Sequence, residues 1–409
     1  MNERCELGFH AVMMLSVLVV FAAAEATAGE VKTGVPAEMR ADDRRLGLRV
    51  DENGVLIKDG KPYRGIGVNY FEAFYRTLKD PKDTSYREGF KALAEHKIPF
   101  VRFSAAGFWP SEWELYLKDK EQYFKLLDGV VKAAEESGVG LIPSFFWHAG
   151  AVPDLVGEPL DQWGNPRSKT HKFMRQYTRE IVTRYKNSAA IWGWEFGNEY
   201  NLGADLPNAS EHRAHVEPEL GTAKSRSERD DLTHDMIRAA FAEFAKEVRK
   251  YDNTRVITSG NSNPRPSAWH QRAELTWKQD TEGQYAEMLL GDNPDPMDMI
   301  SIHLYAHQEE RFNRVVNCKE LLKTALDAAV KAKKPLFVGE FGVSEKLGPE
   351  LVRKRFTEML ATIEKSGVPL TALWVYDYPL QNGTWNVTVA NNRAYQLKAI
   401  QQANQRIRR

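Results

Sequence analysis

The feature that most constrains this fold is an eightfold alternation of short apolar runs with longer segments of helical spacing. Short runs that are apolar almost throughout are typical of strands covered on both faces, as in parallel sheets. The predicted strands are 64–70, 100–104, 140–146, 191–198, 256–259, 299–304, 335–339 and 370–374. The predicted helices lie near 85–97, 121–137, 171–185, 232–251, 281–290, 318–332, 348–366 and 391–405.

Eight strand–helix units favour a closed (β/α)8 TIM barrel of the α/β class over an open doubly wound sheet. The open sheet usually has fewer strands and often a glycine-rich phosphate loop, and the chain has no such loop. Its 409 residues exceed the roughly 250 of a typical barrel, so one barrel with long loops accounts for the chain. Asn53-Gly54 and Asp59-Gly60 within residues 48–63 predict a short N-terminal β-hairpin that plugs the barrel bottom.

The amino terminus has the pattern of a secretory signal peptide. Arg4 precedes an apolar run over 11–24, and small residues at Ala26 and Ala28 follow. The run is shorter than the roughly 20 residues of a membrane span, although an uncleaved anchor remains an alternative. We therefore expect a signal peptide at 1–28, a flexible leader at 29–47, a catalytic domain at 48–409, and a secreted or periplasmic protein.

The charge balance and the cysteine count exclude several classes of protein. Basic and acidic residues number 56 each, which argues against a nucleic-acid partner and against electrostatic docking on membranes. Once the leader with Cys5 is removed, Cys318 alone remains, so no intrachain disulfide and no clustered Cys/His zinc site is expected. We expect a monomer without stable membrane insertion after signal cleavage.

Two predicted strands run directly into glutamates. The fourth strand ends in Asn198-Glu199, and the seventh ends in Glu340. Since the carboxyl ends of barrel strands meet at one face, the two carboxylates are expected at a shared mouth. A long polar insertion over 201–231 follows the fourth strand at the same face, where barrels carry functional loops.

These motifs resemble glycoside hydrolase family 5, and the resemblance covers about 48–405. In that family Arg lies on strand two, His follows strand three, and Asn-Glu closes strand four. His-x-Tyr closes strand six, Glu closes strand seven and Trp closes strand eight. The matching residues here are Arg102, His148, Asn198, Glu199, His303, Tyr305, Glu340 and Trp374. Tyr200 stands where the family often has Pro, which leaves the subfamily open.

The resemblance implies a retaining mechanism with Glu340 as nucleophile and Glu199 as acid and then base. It implies that Arg102 keeps Glu340 ionised and that Tyr305 donates a hydrogen bond to it. Asn198 would bind the sugar hydroxyl beside the reacting carbon.

The remaining substrate-binding candidates contact the sugar less directly. Trp374 would stack on a pyranose, and His148 and His303 would bind hydroxyls or the acid/base. Arg102 as an interior ion-pair member and His148 as a structural histidine stay open as alternatives. Glu195 is interpreted as structural, paired with a basic residue inside the barrel, and Trp192 and Trp194 as core.

The predicted function is a retaining endo-β-glycosidase that hydrolyses a β-1,4-linked polysaccharide, a mannan or a β-glucan, by double displacement. The alternatives are an exo-acting β-glycosidase on oligosaccharides and a catalytically silent carbohydrate-binding barrel. Metal-dependent and phosphate-binding barrels need ligand clusters or a glycine-rich loop, and the loop over 375–379 is aromatic instead. No metal or organic cofactor is expected, because carboxylates suffice for glycoside cleavage.

Overall fold

Eight parallel strands form a nearly closed barrel, as the alternation predicts. The computed structural model describes residues 46–305 and 308–407, so the predicted signal peptide and nearly all of the predicted leader lie outside the described residues. The strands in chain order are β1 (Leu48–Val50), β2 (Leu56–Lys58), β3 (Lys61–Pro62), β4 (Gly65–Asn69), β5 (Phe100–Ser104), β6 (Gly140–Phe146), β7 (Gly193–Gly197), β8 (Val256–Thr258), β9 (Ile300–Tyr305), β10 (Glu309–Arg311), β11 (Arg314–Val316), β12 (Leu336–Gly342) and β13 (Leu370–Leu373). The barrel consists of β4 to β9 followed by β12 and β13, hydrogen-bonded in the order β8-β7-β6-β5-β4-β13-β12-β9.

The two ends of this order, β8 and β9, are joined through Asp298. Its backbone N–H donates to Ile257 O at 2.9 Å, and its carboxylate accepts from the Ile257 N–H at 2.6 Å. A carboxylate thus takes the place of a strand-to-strand backbone bond at this seam, which satisfies polar groups that would otherwise be unpaired.

Helices surround the barrel and bury one face against it. They are α1 (Glu72–Lys79), α2 (Tyr86–Glu95), α3 (Glu114–Lys118), α4 (Lys120–Ser137), α5 (Ala151–Val156), α6 (Lys169–Tyr185), α7 (His234–Arg249), α8 (Ala268–Glu274), α9 (Glu282–Asp292), α10 (Cys318–Ala332), α11 (Pro349–Ser366) and α12 (Tyr395–Ile407). The eight predicted helices are present, and α1, α3, α5 and α8 are additional short helices. Within the described ranges, no helix combines the length and the apolar character needed to cross a membrane.

Local sequence explains where the long helices begin and end. Asp119 caps α4 by accepting a hydrogen bond from Gln122 N–H, and Gly138 ends it in the left-handed conformation with φ 65°. Asn317 and Glu320 form a reciprocal capping box at the start of α10. These local interactions account for where α4 begins and ends and for where α10 begins.

The N-terminal strands close the bottom of the barrel, as predicted. They form a three-stranded antiparallel sheet, one strand more than the predicted hairpin, because β3 pairs with β2 after the second turn. Leu48 N–H donates to Trp192 O at 2.8 Å. Leu48 and Leu56 pack with Phe100 and Trp192 in a buried apolar cluster, so this sheet covers the end of the barrel opposite the carboxyl ends of the strands.

Candidate active site

A β-bulge turns Glu340 into the barrel. In the pairing of β12 with β9, Val338 lies opposite Ile302 but Glu340 lies opposite His303, so Gly339 is an extra residue. By strict alternation from the inward Phe337, position 340 would point outward. The bulge changes the face on which Glu340 lies, a role that bulges often have beside functional sites. The sequence interpretation ended the seventh strand at Gly339 and did not foresee the bulge.

Glu199 occupies a constrained backbone position at the end of β7. Its φ of 54° lies in the left-handed region, which costs free energy for a residue with a Cβ. Its N–H donates to Gly260 O at 3.0 Å, which holds the turn. Gly260 itself has φ 75°, and a Cβ there would lie 1.9 Å from Gly197 O. Glycine at 260 is therefore a requirement of the backbone that supports Glu199.

His303 brings the two glutamates together. Its Nδ1 lies 2.7 Å from Glu199 Oε1 and 3.5 Å from Glu340 Oε2. One ligand atom from each of the three side chains lies within 4.8 Å of the others. The Glu340 side chain is buried, whereas that of Glu199 is 32% exposed. The two carboxylates therefore meet at one opening, as the strand-end pattern predicts.

Arg102 on β5 is the fully buried centre of the hydrogen-bond network. Its Nη1 donates to Glu340 Oε1 at 2.9 Å and its Nη2 to Asn198 Oδ1 at 2.8 Å. Its Nε donates to Glu195 Oε1 at 2.7 Å, which confirms the interpretation of Glu195 as the partner of a basic residue in the barrel. The guanidinium also lies over the Trp147 ring, 4.3 Å from the centroid.

Two further side chains complete the surroundings of Glu340. Tyr305 donates a short hydrogen bond to Glu340 Oε2. Asn69 accepts from Arg102 Nη1 at 3.1 Å and donates to Gly339 O at 2.8 Å, so it ties the arginine to the bulge. The sequence interpretation missed Asn69. The available signal was an amide at the carboxyl end of the first apolar run.

The charges in this group shift one another's pKa values. Burial alone would lower the pKa of Arg102, but attraction to Glu195 and Glu340 raises it overall. Burial, followed by the charge of Glu340, raises the pKa of Tyr305 far above its ordinary value, so the phenol stays protonated and donates. Burial also raises the pKa of Glu195 despite Arg102.

The pKa of Glu199 moves the other way. Burial alone would raise it, but His303, then Arg102, and a hydrogen bond from Ser262 together lower it below the ordinary glutamate value. The free protein therefore holds Glu199 ionised over most of the pH range.

Aromatic rings form a wall beside the carboxylates. Trp374 is half-buried, and its ring lies 6.0 Å from that of Trp147, which in turn lies 4.9 Å from that of Phe71. Trp385 packs against Tyr305 at 4.9 Å between centroids. Phe71 and Trp147 are buried, whereas the partly exposed rings of Trp374 and Trp385 suit the apolar faces of pyranose rings. Of the other tryptophans in loops, Trp113 and Trp163 are fully buried in the core.

His148 is the one predicted site residue that the structure places outside this group. Its ring stacks on Phe108 at 5.0 Å between centroids and packs beside Trp109. Burial first, and then Arg226 and His215, lower its pKa to about 4. A neutral imidazole next to these rings remains a candidate for contacting a sugar further along the mouth.

The polar insertion over 201–231 is attached to the loop after β6. Arg226 forms a bidentate pair with Asp154, with two N–O distances of 2.7 Å, and both side chains are buried. Arg229 pairs with Asp161 at 2.8 Å. Buried bidentate pairs hold a defined geometry, so the insertion presents a fixed surface beside His148.

A metal ion has a limited choice of ligands here. Within the described ranges, the only group with suitable ligand spacing is Glu199, His303 and Glu340. Arg102 and Tyr305 already bond Glu340, and His303 bonds Glu199. The Arg102 guanidinium already neutralises the Glu340 carboxylate, and the resulting pair of carboxylates suits acid/base and nucleophilic chemistry.

A barrel whose fourth and seventh strands end in facing glutamates defines a class, the (β/α)8 glycoside hydrolases. The family model described as cellulase (glycosyl hydrolase family 5) matches residues 56–378, and the chain belongs to this family.

Individual relatives are more distant. Over 79 residues the chain is 34% identical to mannan endo-1,4-beta-mannosidase F of Aspergillus clavatus. This matching segment is 18% of this chain and 18% of that relative. The structure of the endo-1,4-beta-mannanase from Rhizomucor miehei superposes on this chain with a TM-score of 0.61 and 14% sequence identity. The superposition covers 88% of this chain and 99% of the mannanase chain. An exo-beta-1,4-mannosidase from Opitutaceae bacterium strain TAV5 gives a TM-score of 0.58 at 16% identity, with 88% of this chain and 63% of that one covered.

Proposed function

We propose that the chain is a retaining endo-β-1,4-glycosidase that cleaves mannan or a related β-glycan by double displacement. The observation that carries the proposal is the closeness of the two carboxylates: ligand atoms of Glu199 and Glu340 lie within 4.8 Å. Retaining enzymes hold their two carboxyl groups roughly 5–5.5 Å apart, whereas inverting enzymes need roughly 6.5–9.5 Å to admit a water. The short separation favours direct attack by a carboxylate.

In the first step, a Glu340 oxygen attacks the anomeric carbon while the bond from that carbon to the leaving oxygen breaks. The Glu199 proton passes to the leaving oxygen. In the second step, water attacks the anomeric carbon, Glu199 takes its proton, and the bond to Glu340 breaks. Arg102 and Tyr305 hold the Glu340 carboxylate in position for attack, because each donates to a different carboxylate oxygen.

Glu199 must be protonated for the first step, although the free protein lowers its pKa. Burial is the largest single influence on this carboxyl and acts to raise the pKa. A glycan lying across the 32% exposed side chain excludes water and strengthens that influence. Substrate binding thus supplies the shift that general acid catalysis requires.

The names of similar proteins support the proposed substrate class and mode of action. The relatives named as endo-acting mannosidases favour mannan and internal cleavage. The structural neighbour named as an exo-acting mannosidase supports terminal cleavage as the second candidate. The signal-like leader adds export to the proposal.

The test has two parts. Proton NMR of the first-formed product gives the anomeric configuration, and we expect β product from β substrate; α product would overturn the retaining mechanism. Purified protein is then assayed on mannan, glucomannan, carboxymethyl cellulose and aryl β-glycosides. A rapid loss of viscosity relative to reducing ends supports endo action, whereas release of single sugars without loss of viscosity supports the exo candidate.

A further inference from the structure

A buried hydrogen-bond network joins the loop that follows Glu199 to the loop after β8. Asn201, two residues along, donates to Ser262 O at 2.9 Å and to Asp292 Oδ2 at 2.8 Å. Its Oδ1 accepts from Ser262 N–H at 3.2 Å. Ser262 is also the residue whose hydroxyl acts on the Glu199 carboxylate. The loops after β7 and β8 are therefore joined next to the proposed acid/base.

Asp292 connects this network to a histidine. His234 is the first residue of α7. Its Nε2 lies 3.0 Å from Asp292 Oδ1, and its Nδ1 lies 2.6 Å from Asp205 Oδ2. The ring is buried, as are Asp292 and Asn201. Nδ1 and Asp205 Oδ2 form a hydrogen bond, whereas Nε2 and Asp292 Oδ1 are in close contact without hydrogen-bond alignment. An imidazolium, which carries a proton on each nitrogen, attracts both carboxylates.

Three arginines near the two carboxylates share with His234 the neutralisation of Asp205 and Asp292. Arg272 of α8 lies 3.9 Å from Asp205, and Arg238, one turn further along α7, donates to Gly291 O. Arg265 donates to Asn201 O and Leu202 O. Burial alone would lower the pKa of His234, but the hydrogen bond to Asp205 and the negative charges of Asp292 and Asp205 raise it overall.

We propose that His234 is a positioning residue for Glu199. The imidazolium between Asp205 and Asp292 holds Asp292 against Asn201, and Asn201 holds the turn that carries Glu199 together with Ser262. This inference rests on the proposed role of Glu199 as acid/base. Among the described residues, the side chains that contact Glu340 are Arg102, Tyr305 and His303, which are not members of this network. Loss of the network therefore affects protonation of the leaving group and leaves the nucleophile in place.

Leaving-group dependence tests the proposal. A natural glycan leaves as an alkoxide equivalent and needs the acid, whereas a 2,4-dinitrophenyl glycoside of the same sugar leaves without one. In His234→Gln, we expect kcat/KM on the glycan to fall on the order of tenfold because Glu199 is misplaced. On the aryl glycoside, kcat/KM should stay within about threefold of wild type.

The matched control is His270→Gln. His270, near the start of α8, is also buried, and its Nδ1 lies 2.8 Å from Asp280 Oδ1. Its carboxylate partner is thus Asp280, and the hydrogen bonds of its ring do not involve Asn201 or Asp292. We expect equal kcat/KM changes on both substrates in this variant. If His234→Gln does not fold, Asp292→Asn removes the charge with little change of shape and carries the same expectation.

The outcomes distinguish failure of the positioning role of His234 from failure of the acid/base role of Glu199. Equal losses on both substrates in His234→Gln and Asp292→Asn, or the same selective loss in His270→Gln, overturn the positioning role. Glu199→Gln serves as the reference variant, with a much larger loss on the glycan than on the aryl glycoside. If Glu199→Gln shows no such difference, the acid/base assignment itself is wrong, and the inference fails with it.

Discussion

Glu195 Oε1 accepts a 2.7 Å hydrogen bond from Arg102 Nε, and neither side chain is exposed. The guanidinium therefore lies between a carboxylate enclosed in the barrel and Glu340 at the mouth. Glu195 neutralises part of the positive charge that would otherwise act on Glu340 and Glu199. Its place inside the barrel thus tunes carboxylates that it does not contact.

Replacing Glu195 by Gln keeps the shape but removes that charge. Arg102 then stabilises the ionised form of Glu199 more strongly, which lowers the pKa of Glu199 further. We expect the alkaline limb of the pH profile of kcat/KM, which follows protonated Glu199, to move to lower pH. A profile with unchanged limbs and only a lower maximum would show that Glu195 is structural alone.

Tyr305→Phe removes the hydroxyl that donates to Glu340. Hydrogen bonds to charged groups contribute about 1.5–3 kcal/mol, so kcat/KM should fall about 10–100-fold. Steady-state kinetics on an aryl glycoside measure this loss. Tyr123→Phe is the control, because the buried Tyr123 hydroxyl bonds the Tyr177 hydroxyl and Ala105 O rather than either glutamate. A drop of the same size in the control would point to a general packing effect.

Gly339→Ala tests the bulge. An added Cβ would lie 3.2 Å from His303 Nε2 and 3.5 Å from Ser301 Oγ, so the imidazole that contacts Glu199 and Glu340 must move by a few tenths of an ångström. Small displacements of reacting groups cost rate, and we expect kcat to fall about tenfold. At Gly283 on α9 an added Cβ would have only an ordinary contact, 3.9 Å from Thr281 Oγ1, so Gly283→Ala should retain wild-type kcat. Full activity of Gly339→Ala would contradict the tight fit.

The pH dependence of kcat/KM and of kcat should follow the protonation of Glu199. Its pKa is lowered in the free protein, below an ordinary value of about 4.3, and the acid step needs the proton. The alkaline limb of kcat/KM, which reports the free enzyme, should therefore begin at acidic pH. The alkaline limb of kcat should lie at higher pH, since bound glycan raises the pKa of Glu199. Coincident limbs would argue against a substrate-induced shift.

The sequence predicts the barrel well because its strongest signal is local. Apolar runs with helical segments between them identify the strands, and Glu199 and Glu340 stand at the ends of two of these runs. The inward direction of Glu340 could not be read in this way, since it depends on the pairing of β12 with β9.

Contacts between residues that are far apart in the sequence could not be predicted from the sequence either. Asn69, Arg102 and Gly339 come together from three strands. His234 and Asp292 come from two helices. Trp113 and Trp163 lie in segments without long-range periodicity, yet they are buried by short 3-10 helices that fold back on the core.

The central claim is that Glu340 attacks the sugar on which Glu199 acts. The most direct measurement uses a 2-deoxy-2-fluoro β-glycoside with a 2,4-dinitrophenolate leaving group, which slows the second step and accumulates the glycosyl-enzyme. Peptide mass spectrometry after digestion should find one added sugar, on the peptide that contains Glu340, with the label absent in Glu340→Gln. A label on another residue, or turnover of the natural glycan without any covalent species, would contradict the account.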